Sequence, residues 1–121
     1  MTYSEGPHQW DVKDLQLLAE SLPIVNVPLS LIPEAQGFLE STCWTQEGPW
    51  VRPLTVREIL DHANRVSTAN LMKPVILTPE MKIADGAYQI VKCLQQGITN
   101  VRAVRLPFMP PPLSLFGGCH V

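Results

Sequence analysis

Between Lys73 and Leu106 every boundary in the chain is punctuated, and the order of the enclosed pieces leaves few ways to fold. Lys73–Leu77 is a short apolar run, Thr78–Lys82 has the composition of a turn, and Ile83–Ala84 is a second extended piece, so the three predict a tight hairpin. Asp85 and Gly86 end it. Ile90, Val91 and Leu94 then share one stripe of a helix, and Gly97 is placed to stop that helix because glycine accepts the left-handed conformation favoured at a helix C-terminus. Val101–Leu106 alternates in character as a closing strand.

Upstream, Asp11 is the expected cap of a first helix running to about Leu22, with Leu15, Leu18 and Leu22 on one stripe and Pro23 as its stop. Ile24–Ile32 reads as an extended segment that Pro28 confines to a sheet edge or a bend. Pro33–Pro53 has no sustained period and predicts a short helical turn followed by an irregular loop, in which Trp44 and Trp50 seal a core edge. Thr55-Val-Arg-Glu58 is a capping box: hydroxyl and carboxylate satisfy amides that the first turn of a helix leaves free. The helix it opens carries Val56, Ile59, Leu60, Ala63 and Val66 on one face, with Arg57, Asp61 and Arg65 on a solvated one.

At 121 residues these pieces make one domain. We place it at residues 1–106, followed by a proline-rich arm, 107–121, that holds Pro107, Pro110, Pro111 and Pro112 of the twelve prolines. Phe108, Met109, Leu113, Leu115 and Phe116 give this arm too much apolar surface to leave in water, so it is expected to pack on its own domain or to exchange between the subunits of a homodimer.

With 45% apolar and 17% charged residues the chain lies in the globular range, and a net charge of −2 disfavours DNA as a partner. No apolar run approaches the ~20 residues of a membrane span. The polar stretch Met1–Trp10 lacks the pattern of a secretory signal, so a cytoplasmic location is expected. Cys43, Cys93 and Cys119 are widely spaced and read as reduced thiols; with His8, His62 and His120 they reproduce no zinc spacing, and no metal site is expected.

The stretch Pro74–Arg105 resembles the core of ParB-like domains, in which a strand and a turn precede Asp-Gly-x-His-Arg, a helix that ends at Gly, and a strand. Val27-Pro-Leu-Ser-Leu-Ile32 resembles the first strand of that family, so the resemblance covers roughly residues 24–106. It implies an α/β (α+β) fold of the ParB/sulfiredoxin kind, a short mixed sheet flanked by three or more helices. It also implies an anion or nucleotide cleft at the helix start, where unpaired amides and the helix dipole favour a phosphate and where a nucleotide would arrive with Mg²⁺.

In this chain the motif reads Asp85-Gly86-Ala87-Tyr88-Gln89, with Tyr88 where the family has His and Gln89 where it has Arg. Gln lacks the guanidinium fork that grips phosphate, and Tyr cannot shuttle a proton near neutral pH as His does. The expectation is therefore a binding module with no catalytic residue. Its ligand contacts are Asp85, Gly86, Ala87, Tyr88 and Gln89, joined by His62 and Arg65 from the preceding helix.

Three other readings stay open on sequence alone. Glu58, His62 or Arg65 can be recruited into the same cleft of a nucleotide-dependent phosphotransferase or nuclease. The tryptophans and the arm can serve a protein partner in a structural interaction module. Phe116-Gly-Gly-Cys-His120 resembles the sulfiredoxin signature and its thiol chemistry at Cys119, but Val121 replaces the signature's Arg, and the strand-to-helix junction it occupies there is filled here by Asp85–Tyr88.

Overall fold

A computed structural model of the chain describes residues 2–5, 7–37, 46–47, 50–51 and 53–113. In chain order these form β1 (Thr2–Glu5), β2 (His8–Asp11), α1 (Val12–Ala19), β3 (Val25–Pro28), two 3₁₀ turns (Leu29–Leu31 and Pro33–Ala35), β4 (Gln46–Glu47), β5 (Trp50–Val51), α2 (Val56–Thr68), β6 (Val75–Leu77), β7 (Ile83–Asp85), α3 (Ala87–Gln95) and β8 (Asn100–Arg105). Three helices and a mixed four-stranded sheet, with small hairpins beside it, give the expected α+β class. None of the described helices is long and apolar enough to cross a membrane.

The main sheet runs β3-β8-β6-β7. β8 lies antiparallel to β3 and parallel to β6, and β6 turns antiparallel into β7, so the predicted hairpin is present. All three residues of β6 are buried because both sheet faces are covered. On one face Val27, Val75, Leu77, Ile83, Val101 and Ala103 meet Ala87, Ile90 and Cys93 of α3. On the other, Ile76, Ala84 and Val104 meet Val12, Leu15 and Ala19 of α1 together with Tyr3 and Trp10 of the β1–β2 hairpin. Leu15 and Leu77 are fully withdrawn from water, a gain of about 1.5–3 kcal/mol for each such side chain.

Local chemistry sets the helix ends. Asp11 caps α1 by accepting from the Lys13 amide at 2.9 Å, though the helix stops at Ala19, short of the expected Leu22. In the capping box of α2 the Glu58 amide donates to Thr55 Oγ1 at 3.1 Å and the Thr55 amide to Glu58 Oε1 at 2.9 Å. Gly97, at φ +71°, ends α3 in a left-handed turn: the Ile98 amide donates to Cys93 O at 2.9 Å and the Gly97 amide to Leu94 O at 3.3 Å.

Three features depart from the sequence reading. The β1–β2 hairpin was not expected in Met1–Trp10; it forms because Tyr3 and Trp10 bury their rings against Leu106 and α1. The expected strand over Ile24–Ile32 lasts only to Pro28, which has no amide hydrogen to donate, and the chain then coils through the 3₁₀ turns. α2 withdraws Glu58, His62 and Val66 from solvent, one residue in four, while Val56, Ile59 and Leu60 remain 84%, 53% and 52% exposed.

The start of the arm lies on its own domain. Trp10 Nε1 donates to Pro110 O at 2.7 Å, the Leu113 amide donates to Gln9 O at 2.6 Å, and Met109 packs on the α1-side core. Trp44, Cys43 and the Phe116–His120 signature lie outside the described residues, as does the side chain of Trp50.

Candidate functional site

The start of α3 is fixed by a close approach to β6. Gly86, at φ +107°, is its N-cap, and a Cβ there would meet Val75 Cγ2 at 2.9 Å and Val75 Cα at 3.2 Å. Gly86 makes no side-chain cap hydrogen bond of the kind that Ser, Thr or Asp would give to the first turn of α3. Ala87, next in the motif, is buried in the core beneath that turn.

Tyr88 stands on the first turn and faces α2. Its hydroxyl is 2.7 Å from Nδ1 of His62, the two rings lie 5.8 Å apart at 31°, and the Arg65 guanidinium carbon is 5.8 Å from the centre of the Tyr88 ring. Arg65 is exposed, which limits this cation–π contact to about 0.5–1 kcal/mol. Gln89 Nε2 reaches the Lys73 carbonyl at 3.5 Å, a long contact that joins the turn to the segment leading into β6. Lys92, one turn further on, donates from Nζ to Ser67 O at 2.9 Å and Ala69 O at 3.0 Å, closing the carbonyl end of α2 onto α3. Of the seven predicted contact residues, Tyr88, His62 and Arg65 thus meet between α2 and α3, while Gly86 and Gln89 stand on the same first turn against Val75 and Lys73.

Asp85 turns the other way. Ile76 pairs with Asp85 and Leu77 with Ile83, so Ala84 is the extra residue of a β-bulge, and bulges re-aim neighbouring side chains. Asp85 Oδ2 accepts from Gln16 Nε2 of α1 at 2.9 Å, across the sheet from the Tyr88 cluster. It lines a cavity of about 280 Å³ beneath the end of α1, floored by Ala19, Leu22, Pro74, Ile76 and Val104 and rimmed by Gln16, Glu20, Ile24, Lys73 and Asp85. Neither Gln16 nor Lys73 carried a sequence signal, since their meeting with Asp85 depends on how α1 crosses the bulge.

Glu58, one of the residues that the phosphotransferase or nuclease reading would recruit, commits Oε1 to the helix cap. Cys93 is buried in the core and burial pushes its thiol up, away from the reactive thiolate. No group of three His, Cys, Asp or Glu suited to a metal ion occurs among the described residues. Compared with protein-family models, with curated proteins and with solved structures, the chain matches none.

Proposed function

We propose that this chain is a cytoplasmic, ParB-like binding domain that takes an anionic group, in the first instance the phosphates of a nucleotide with Mg²⁺, at the start of α3 without turning it over. The observation that carries the reading is the meeting of Tyr88 with His62, 26 residues away in sequence, under the Arg65 guanidinium and beside the first turn of α3, which has no side-chain cap. Helix amides, an imidazole, a phenol and a guanidinium form a donor-rich surface suited to phosphate oxygens. Tyr88 and Gln89, where the resembled motif has His and Arg, support binding over chemistry.

The test is a thermal-shift titration of the full chain with nucleoside di- and triphosphates, with and without Mg²⁺. A ligand at 100 times its Kd adds about 2.7 kcal/mol to stability. The expected result is a saturable rise in Tm that Arg65→Ala reduces. No rise with any nucleotide, or one indifferent to Arg65→Ala, overturns the proposal.

A second reading, a protein-interaction module, is favoured by the exposed stripe Val56, Ile59 and Leu60 on α2. Light scattering on the full chain would then show a homodimer that Ile59→Lys dissociates; a monomer in both proteins would rule out self-association through this face.

A further inference from the structure

We infer that the cavity beneath α1 is a second, independent site, built for a free apolar α-amino acid. Its volume of about 280 Å³ falls just below the usual range for drug-sized ligands, which sets the ligand's size as a small metabolite. Its floor is hydrocarbon, as an apolar side chain requires. Its lining includes residues of both signs, Asp85 and Glu20 against Lys73.

Two features make this a built site. The β-bulge at Ala84 directs Asp85 to this face, and Gln16 holds one of its oxygens at 2.9 Å, so the carboxylate is oriented and its other oxygen can meet a ligand's ammonium. Lys73 leads into Pro74 and β6 and supplies the counter-charge for a ligand's carboxylate. A neutral apolar molecule would leave Asp85 under-used, whereas a zwitterion with a hydrocarbon side chain engages both charges and the floor.

Isothermal titration calorimetry of the full chain with L-leucine, L-isoleucine, L-methionine and L-phenylalanine tests the assignment, with N-acetyl-leucine and leucinamide as arms lacking the ammonium and the carboxylate. At least one amino acid should bind saturably at one site. N-acetylation and Asp85→Asn, which still accepts from Gln16, should each weaken binding by about tenfold or more, near 1.4 kcal/mol. Removing the carboxylate, or Lys73→Ala, should weaken it severalfold. Ile24→Trp, at a position 46% exposed and therefore tolerant of size, should fill the mouth and abolish it. Arg65→Ala, on the opposite face, should leave it unchanged, which separates this site from the phosphate surface. Absence of saturable binding by any of the four amino acids, or binding indifferent to Asp85→Asn and Ile24→Trp, overturns the inference. Equal binding of leucine and leucinamide also overturns it, in favour of a peptide amino terminus.

Discussion

Gly86→Ala is the most informative single change, because two separable costs meet at that position. At φ +107° an L-residue is strained by about 1–2 kcal/mol. The new methyl would sit 2.9 Å from Val75 Cγ2 and 3.2 Å from Val75 Cα, and crowding of that kind in a packed core adds about 1–3 kcal/mol. The sum, about 2–5 kcal/mol, is a large share of the ~5–15 kcal/mol that holds a domain of this size together. At about 4 °C per kcal/mol, Tm should fall by roughly 8–20 °C.

Gly97→Ala is the control. It has φ +71° and nothing within 4 Å of the new Cβ, so only the strain remains and Tm should drop by about 4–8 °C. Urea and thermal unfolding of both variants give the comparison directly. In the double variant Gly86→Ala, Val75→Ala, the alanine methyl moves into space that Val75 gives up, so the two losses should fall short of additive by about 1 kcal/mol or more. Equal losses at the two glycines, with full additivity in the double variant, would refute the claim that contact with β6 dictates Gly86.

Two further outcomes follow from local geometry. Tyr3 is buried and its hydroxyl donates to Glu5 Oε2 at 3.0 Å; burial, then this hydrogen bond, push its pKa above the ordinary 10.0. Above pH 10 the unfolded chain has lost a proton that the folded chain keeps, so stability is full below that pH and should fall above it by up to about 1.4 kcal/mol per pH unit. Tyr3→Phe should flatten the slope in pH-dependent urea unfolding. Thr55→Ala removes the acceptor for the Glu58 amide and should cost about 1 kcal/mol, read as earlier hydrogen exchange in the first turn of α2; unchanged exchange there would show that the capping box holds nothing in place.

The parts legible in the sequence were those whose chemistry is local. The capping box at Thr55 and Glu58, the left-handed stop at Gly97 and the turn joining β6 to β7 are each set by neighbours in the chain, and each stands where it was read. The buried stripe of α3 differs from the one that its large apolar residues Ile90, Val91 and Leu94 trace. Ala87, Ile90 and Cys93 face the core while Val91 and Leu94 are 37% and 50% exposed, because alanine and cysteine bury readily without standing out in a search for large apolar residues.

The candidate site divides in the same way. His62 and Arg65 share one face of α2 by helical spacing, and Tyr88 meets them because α3 follows Gly86 directly. The direction of Asp85 was illegible, since a one-residue slip between Ile76 and Leu77 is decided by pairing across the sheet.

The sheet order has a consequence for how the chain comes into being. β8 is the strand that joins β3 to β6, and Val25 pairs with Ala103, far along the chain. At the ~5–20 residues per second of protein synthesis, β3 waits several seconds for β8, its neighbour in the sheet, with Val27 and Leu29 lacking much of the core that later covers them. Pairings this distant in sequence are slow to close. A nascent chain halted before Asn100 therefore holds both halves of a sheet and no strand to join them, and the transition from an aggregation-prone polypeptide to a folded domain comes late, with the synthesis of Asn100–Arg105.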